Sequence, residues 1–232
     1  MKTIGISSSR RAFLLKTAAV APAAAALGAA TVGMSAFSAA APAEPYKPTY
    51  FSADEWTTLN ALVDRLIPAD EEGPGALEAG VSEFIDRQMD TPYGHGQLWY
   101  MHGPFKEDLP ALFGYQLHLA PRDLYRSALA LVDKASQQLH GKAFSALDDA
   151  AKDEFLKQME SGSLKMEPVP SGAFFSQLLQ NVHEGYFCDP KYGGNKDMAA
   201  WRMVGFPGAR ADYMDWVEQY GKAYPLPPVS LG

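Results

Sequence analysis

The chain has 232 residues, and its 20 lysines and arginines against 27 aspartates and glutamates give a formal net charge of −7 at pH 7. Four of the basic residues and none of the acidic ones lie in residues 1–43, so the remainder has a net charge of −11. This acidic balance argues against nucleic acid and against an anionic membrane surface as partners. The remainder is long enough for one domain with a sizeable core.

Residues 1–43 have the features of an export signal. Arg10 and Arg11 form a twin-arginine pair, and an alanine-rich apolar stretch follows them. A basic segment ahead of an apolar one is typical of signal peptides, and the twin-arginine type is read by a translocase that exports folded proteins. The alternative is a membrane anchor, but alanine contributes little transfer free energy, and a proline and two glycines interrupt the stretch. We expect a twin-arginine signal peptide cleaved after Ala40 or Ala43, and a periplasmic protein.

Cys188 is the only cysteine in the chain, so an internal disulfide is impossible. An unpaired cysteine in an exported protein indicates either a buried apolar thiol, which is the commoner outcome, or a bond to another chain. One cysteine also excludes haem attachment through a Cys-x-x-Cys-His motif and a four-cysteine iron–sulfur site within this chain.

The first predicted helix has clear start and stop signals after a lead-in that contains two prolines. Ser52 and Glu55 have the spacing of a capping box, and Phe51 and Trp56 occupy the positions of a hydrophobic staple. Pro68 ends the helix, because proline removes a backbone donor and clashes with the preceding turn.

The next segments alternate between turns, a second helix and a long loop. The acidic loop Ala69–Gly75 is a candidate cation site, but it lacks further oxygen ligands at calcium spacing, so we expect it to be solvated. A helix is predicted over Ala76–Met89, with Leu77, Val81, Phe84 and Ile85 on its inward face. From Thr91 to Leu119 the chain is rich in glycine, proline and aromatic residues without a lasting period, which predicts a long structured loop that completes the core or covers a partner. The three histidines of this loop are irregularly spaced, which argues against a metal site.

The rest of the chain is predicted to be helical, and no segment shows the sustained alternation of a strand, so the fold class is all-α: an irregular helical domain with long structured loops. The first helix of this part is predicted over Pro121–His140, closed by Gly141, with an apolar face that includes Leu124, Ala128, Val132 and Leu139. The others are predicted over about Leu147–Met159, Ser171–Glu184, and short pieces over Asp197–Met203 and Ala211–Tyr220. The proline-rich tail Tyr224–Pro228 is expected to lie extended over the surface.

The densest group of polar, glycine and aromatic residues lies in 183–208. A catalytic interpretation makes His183 a base oriented by Glu184 or Asp189, with Tyr192 as an acid. Adjacent residues on a helix point apart, however, which weakens a pair between His183 and Glu184. We therefore expect these side chains to satisfy backbone groups in a tight turn, or to face a partner.

Two long segments carry a family resemblance that spans nearly the whole chain. The first, within Leu66–Asp86, resembles the first signature of the gluconate 2-dehydrogenase small subunit family, also called the gamma subunit or subunit 3. The second resembles the other signature and comprises His183-Glu184-Gly185-Tyr186-Phe187, Asp189-Pro190, Tyr192-Gly193-Gly194-Asn195, Trp201 and Gly205-Phe206-Pro207-Gly208.

The resemblance implies that residues 44–232 form a single domain of this family and that the chain is a non-catalytic subunit. In the family, the small subunit accompanies a large flavoprotein that binds FAD and an iron–sulfur cluster and oxidises a sugar, polyol or sugar acid. A multihaem cytochrome c subunit passes the electrons to the membrane quinone pool. The flavoprotein is carried folded through the twin-arginine translocase by the small subunit, which also stabilises it. No catalytic, cofactor or metal residue is carried over to this chain.

The resemblance also points to a partner interface in the second signature. Its candidate residues are Tyr186, Cys188, Asp189, Tyr192, Gly193, Gly194, Asn195 and Trp201. Cys188 is then a candidate for a disulfide with the flavoprotein, since it sits on a loop shaped by glycines and has no internal mate. Two alternatives stay open: an independent periplasmic enzyme or metal-binding protein that uses residues 183–195, and a module that binds a small ligand.

Overall fold

The computed structural model describes residues 45–106, 109 and 111–232. The predicted export signal, with Arg10 and Arg11, lies outside the described residues. Residues 45–232 form one compact unit. In this part of the chain, no helix has the length and apolar character that crossing a membrane requires.

The described residues form six α-helices and no β-strand, in agreement with the all-α prediction. The helices are α1 (Ala53–Leu66), α2 (Val81–Met89), α3 (Pro121–His140), α4 (Asp149–Glu160), α5 (Ser171–Phe187) and α6 (Ala199–Val204). Single turns of 3₁₀-helix occur at Ala111–Phe113, Phe144–Ala146, Pro190–Tyr192 and Lys196–Met198, and a longer one at Ala211–Trp216. One isolated parallel bridge joins Gly208 to Val229 in the extended tail.

Helix α1 begins with the predicted capping box. The hydroxyl of Ser52 accepts from the backbone N–H of Glu55 at 3.3 Å, and the Glu55 carboxylate accepts from the Ser52 N–H at 2.8 Å. These two bonds satisfy donors that the first turn of a helix leaves free. Leu59, Leu62 and Val63 are buried on one face of the helix.

Helix α2 begins at Val81, five residues later than the sequence pattern indicated. Residues 76–80 form a turn instead, closed by a bond of 2.9 Å from the Val81 N–H to the Ala76 carbonyl. Gly80 has φ 77°, which a right-handed helix cannot contain. Leu77, predicted to point inward, is 39% exposed, whereas Phe84 and Ile85 are buried as predicted.

Helix α3 has the predicted bounds, and it ends at Gly141 in the left-handed conformation, with φ 68°. This is the usual way in which glycine terminates a helix. Leu124, Ala128 and Val132 are buried on the predicted face. Leu139, expected on the same face, is 56% exposed, so the core ends before the last turn of α3.

Helix α5 is the centre of the fold and packs against each of the other five helices. It continues through Gly185 to Phe187, three residues past the predicted end at Glu184. Glycine does not end the helix here because it serves packing: a Cβ at Gly185 would lie 2.7 Å from the Phe84 ring and 3.2 Å from the Val81 side chain. The missing side chain lets α2 and α5 approach closely.

Candidate functional site

The two signature segments meet in space. The hydroxyl of Tyr186, near the end of α5, donates to the Pro74 carbonyl at 2.7 Å. The backbone N–H of Lys196 donates to the Ala79 carbonyl at 3.0 Å, and the Lys196 ammonium lies 2.7 Å from the Glu83 carboxylate. The loop before α2 and the loop after α5 therefore form one structural region.

The closest approach between these loops takes place at two glycines. Gly80 and Gly193 both have positive φ, 77° and 101°. A Cβ at Gly80 would lie 2.8 Å from the Gly193 carbonyl oxygen and 2.6 Å from the Lys196 side chain. Gly193 in turn packs against Arg87, 3.0 Å from where its own Cβ would stand. Both positions therefore require glycine, for conformation and for space.

Asn195 and Trp201 close the end of α5. Asn195 is fully buried; its side-chain N–H donates to the Cys188 carbonyl at 2.9 Å, and its side-chain oxygen accepts from the Ala200 N–H at 3.0 Å. The indole N–H of Trp201 donates to the Phe187 carbonyl at 2.7 Å. These bonds satisfy carbonyls that a helix end leaves unpaired, and they fix α6 against α5.

Asp189 joins the loop after α5 to the C-terminal tail. Its carboxylate accepts from the Ser230 hydroxyl at 2.6 Å, the Leu231 N–H at 2.8 Å and the Lys191 N–H at 3.1 Å. Burial disfavours the charged form, but these hydrogen bonds outweigh it and lower the pKa of Asp189 below its usual value. Asp189 is therefore an anchoring carboxylate that is ionised at neutral pH.

Cys188 is half-buried, and its thiol donates to the Gly185 carbonyl at 3.4 Å. Burial raises the pKa of the thiol to about 11. The backbone of Gly194 covers one side, since a Cβ there would stand 3.0 Å from Sγ. The thiol is therefore protonated at neutral pH in the chain on its own.

The residues of the predicted partner interface divide into an interior set and an accessible pair. Six of them are buried within this chain: Tyr186, Asp189, Gly193, Gly194, Asn195 and Trp201. Tyr192 is 47% exposed and Cys188 is half-buried. The interior residues shape the loop, and the accessible pair is available for contact. The interface itself stays a prediction.

The residues of the catalytic alternative are not brought together. His183 and Glu184 are both exposed on α5, and the Glu184 carboxylate accepts from Gln180 at 2.8 Å and Asn181 at 2.9 Å. Asp189 is turned toward the tail. Among the described residues, no hydrogen bond joins His183 to Asp189 or to Tyr192.

The acidic loop before α2 is closed by its own side chain. The Asp70 carboxylate accepts from the backbone N–H of Glu72 at 2.7 Å and of Gly73 at 3.2 Å, which is a local turn of the kind that aspartate favours. In residues 45–106, 109 and 111–232, no group of three or more histidine, cysteine, aspartate or glutamate side chains is placed to hold a metal ion.

Asp86 is an important signature residue whose role the sequence pattern did not indicate. This fully buried carboxylate accepts hydrogen bonds from the Tyr46 hydroxyl at 2.8 Å and the Thr49 hydroxyl at 3.0 Å. It also accepts from the backbone N–H groups of Thr49, Tyr50 and Phe51 at 2.7 to 3.1 Å. Burial and the bond to Asp86 raise the pKa of Tyr46 to about 12. Asp86 thus holds residues 46–51, the lead-in that precedes α1, against helix α2.

The long loop that follows α2 is held against α5 by a buried polar cluster, which the sequence analysis also did not predict. Asn181 accepts from the hydroxyls of Tyr93 at 3.0 Å and Tyr125 at 2.9 Å, and Gln177 donates to the Tyr93 oxygen at 2.7 Å. Burial raises the pKa of Tyr93 to about 12. The signal available in the sequence was Asn181, a polar residue at a core position of a predicted helix, which needs buried hydrogen-bond partners.

A groove runs along the exposed side of α5, and we call it the α5 groove. It consists of three hollows of about 620, 470 and 490 Å³. Neighbouring hollows share lining residues: Ser176 and Gln180 line the first two, and Glu184 lines the last two. The groove is defined here by the α5 residues Ser176, Leu179, Gln180, His183, Glu184 and Phe187. It ends beside Cys188 and Tyr192.

The family model described as gluconate 2-dehydrogenase subunit 3 matches residues 53–208. The chain belongs to the gluconate 2-dehydrogenase subunit 3 family. The match contains both signatures, which confirms the resemblance, and it also contains α1 to α6. In this subunit 3 family member, the tail that binds Asp189 follows the matched region. No curated protein and no solved structure matches the chain.

Proposed function

We propose that this chain is a non-catalytic small subunit of a membrane-associated FAD-dependent dehydrogenase of the gluconate 2-dehydrogenase type. It carries the folded flavoprotein subunit through twin-arginine export and stabilises it. The observation that carries the proposal is the family match over residues 53–208, since the family is named for a subunit of a dehydrogenase complex.

The proposed complex places the redox cofactors in other chains. FAD and an iron–sulfur cluster belong to the flavoprotein, and haem c belongs to a multihaem cytochrome subunit on the periplasmic face of the cytoplasmic membrane. The twin-arginine pair Arg10 and Arg11 supports folded export, because this route serves proteins that acquire a cofactor before crossing. The substrate class is a sugar, polyol or sugar acid.

The surface around the second signature supports a role in binding a partner. The buried residues of this signature make their hydrogen bonds within the chain, whereas large apolar side chains beside them face solvent. Phe187, Tyr192, Val204 and Phe206 are 43 to 56% exposed. Aromatic and apolar side chains grouped on a surface are typical of the core of a protein–protein interface.

The test of the carrier role is the double substitution of Arg10 and Arg11 by lysine. We expect the flavoprotein, with its FAD bound, to accumulate in the cytoplasm in complex with the variant subunit. The complex should still form there, because the substitutions lie outside residues 45–232. A flavoprotein that reaches the periplasm normally in this strain would overturn the carrier role.

Purification of the intact complex tests subunit membership separately. A tag on this chain should recover a flavin-containing chain and a haem c chain, each identified by its mass and absorbance. The isolated subunit should oxidise no sugar or sugar acid with an artificial electron acceptor. Dehydrogenase activity of the isolated subunit would favour the enzyme alternative instead.

A further inference from the structure

We infer that the α5 groove is the docking surface for one segment of the flavoprotein subunit, and that this segment is apolar with at least one lysine or arginine. The inference rests on the proposed function, since it names the surface that holds the flavoprotein. It goes further by assigning the contact to the exposed side of α5, and by specifying the chemistry of the partner segment.

The size of the groove suits a single segment of a partner chain. Helix α5 has 17 residues, which corresponds to a length of about 25 Å. The groove follows this length from the hollow that Leu109 and Gly162 line to the hollow beside Cys188. A partner helix that lies in such a groove contacts it through residues on one face, spaced three or four apart.

The floor of the groove is apolar in its middle and at the end beside Cys188. Phe175 and Leu179 line its middle, and Phe84 and Phe187 line the end beside Cys188. Phe187 is 43% exposed and Leu109, at the other end, is 39% exposed, although both are large apolar side chains. Covering them with apolar groups of a partner removes this area from water, which is the main favourable contribution at such interfaces.

The charges of the groove have one sign. Glu160 and Glu184 line it, both are exposed, and among the described residues no lysine or arginine lines any of its three hollows. The Glu184 carboxylate is held in place by bonds from Gln180 and Asn181. A cationic side chain of the partner that pairs with these carboxylates would fix the register of the docked segment.

A bulky cation at Ser176 tests the groove directly. Ser176 is exposed, lines two of the hollows, and its hydroxyl bonds only within α5, to the Gly172 carbonyl. Ser176→Arg should raise the Kd of the subunit for the flavoprotein at least tenfold, as measured by dilution of the purified complex in a mass photometer. The matched control is Ala130→Arg on the exposed side of α3, which should change the Kd less than threefold.

A second variant tests the charge of the groove without adding bulk. The double variant Glu160→Gln and Glu184→Gln keeps the side-chain shapes. At position 184 the oxygen of the new amide accepts from Asn181, and the exposed Gln180 amide turns so that its oxygen accepts from the new N–H, so the fold and the apolar floor should be unchanged. At low ionic strength the Kd should rise several-fold, and it should depend less on salt concentration than the Kd of the wild type. A salt dependence equal to that of the wild type would overturn the predicted cationic partner group.

The results separate failure of this inference from failure of the proposed function. If the wild-type subunit recovers the flavoprotein, and Ser176→Arg binds it as tightly as Ala130→Arg does, the groove assignment is wrong and the proposed function stands. If the wild-type subunit recovers no flavoprotein, the proposed function itself is wrong. If the isolated subunit forms a dimer and Ser176→Arg dissociates it, the groove binds a second copy of this chain. That result would also overturn the inference.

Discussion

The hydroxyl of Ser230 donates to the carboxylate of Asp189 at 2.6 Å across 41 positions of the chain. Asp189 follows α5 and Cys188 directly, so this bond ties the tail to the loop that carries the second signature. Arg210 adds two bonds from its guanidinium to the Pro227 carbonyl, at 2.8 and 2.9 Å. The tail is thereby held at two places, against the loop after α5 and against the segment that follows α6.

We predict that Ser230→Ala destabilises the subunit by about 1–2 kcal/mol, since the variant loses a hydrogen bond to a charged, buried acceptor. Urea unfolding of the purified subunit measures the change. Ser163→Ala is the control, because Ser163 is exposed and its hydroxyl bonds only to Ser161 and the Gln158 carbonyl. Equal stability of the two variants would contradict an anchoring role for Asp189.

The same carboxylate predicts a dependence of stability on pH. The pKa of Asp189 is lowered in the folded subunit, so its contribution to the free energy of unfolding is fully present above about pH 5. The contribution is lost as the pH falls below about 4 and through the lowered pKa. The difference in unfolding free energy between the wild type and Asp189→Asn should therefore shrink in acid. A difference that stays constant from pH 7 to pH 3 would show that the charge of Asp189 is unimportant.

The close approach of Gly80 to Gly193 predicts a large effect of a single methyl group. Gly80→Ala should cost roughly 2–4 kcal/mol, because alanine is strained at φ 77° and its Cβ would meet the Gly193 carbonyl and Lys196. Gly141→Ala is the matched control: φ is 68° there, also at a helix terminus, and nothing lies within 4 Å of the added Cβ. This control should lose only about 1 kcal/mol.

Thermal unfolding of the two alanine variants, followed by circular dichroism, separates strain from steric contact. The lowering of Tm by Gly80→Ala should clearly exceed that of Gly141→Ala. Equal shifts would mean that the loops before α2 and after α5 are free to move apart, and that their contact contributes little to stability.

Because the buried carboxylate of Asp86 holds the lead-in, we predict that the isosteric substitution Asp86→Asn releases residues 46–51 from α2. In Asp86→Asn, an amide N–H group would face the donors from Thr49, Tyr50 and Phe51, so the loss should be about 2–3 kcal/mol. Limited proteolysis should then cut residues 46–51 faster than in the wild type. Asp90→Asn is the control, since Asp90 is exposed and its carboxylate makes a weak bond of 3.4 Å with Thr49 and a long ion pair of 3.9 Å with Arg122. A lead-in that stays protected in Asp86→Asn would contradict this role.

The features that the sequence predicted well are those determined by nearby residues. The capping box of Ser52 and Glu55 and the left-handed stop at Gly141 each depend on a few adjacent positions, and the structure contains both. The amphipathic pattern likewise located the main helices. Helix caps of this kind can be predicted from the sequence, because the helical and non-helical conformations at a helix end differ in bonds made within a single turn.

The features that the sequence did not predict depend on residues far apart in the chain. The sequence predicts that the helix ends before Gly185, but in the structure Gly185 lies within α5, where the ring of Phe84 occupies the space that a side chain would need. Asp86 is buried because residues 35 to 40 positions earlier in the chain bind its carboxylate, and no residue near it in the sequence indicates this. In the second signature, the pattern located an unusual loop but not which side chains, such as Asn195, turn inward. Only the packing of α5 and α6 decides that.

The disulfide between Cys188 and the flavoprotein stays a prediction. It can be tested through the reactivity of the thiol, first in the isolated subunit and then in the purified complex. In the isolated subunit, a pKa of about 11 leaves on the order of one thiol in ten thousand ionised at pH 7. Alkylation by iodoacetamide should therefore be slow in the folded subunit and much faster in urea, as followed by mass spectrometry. Rapid alkylation of the folded subunit would contradict the raised pKa of this half-buried thiol.

In the purified complex, the disulfide hypothesis predicts one band with the combined mass of both chains on electrophoresis without reductant. Cys188→Ser should give two bands under the same conditions, and reductant should separate the chains of the wild type. Because Cys188 lies at the end of the α5 groove beside Tyr192, a bond there would lock a partner already docked in that groove. Separate bands for the unreduced wild-type complex would leave Cys188 as a packing residue, whose thiol bonds to the Gly185 carbonyl.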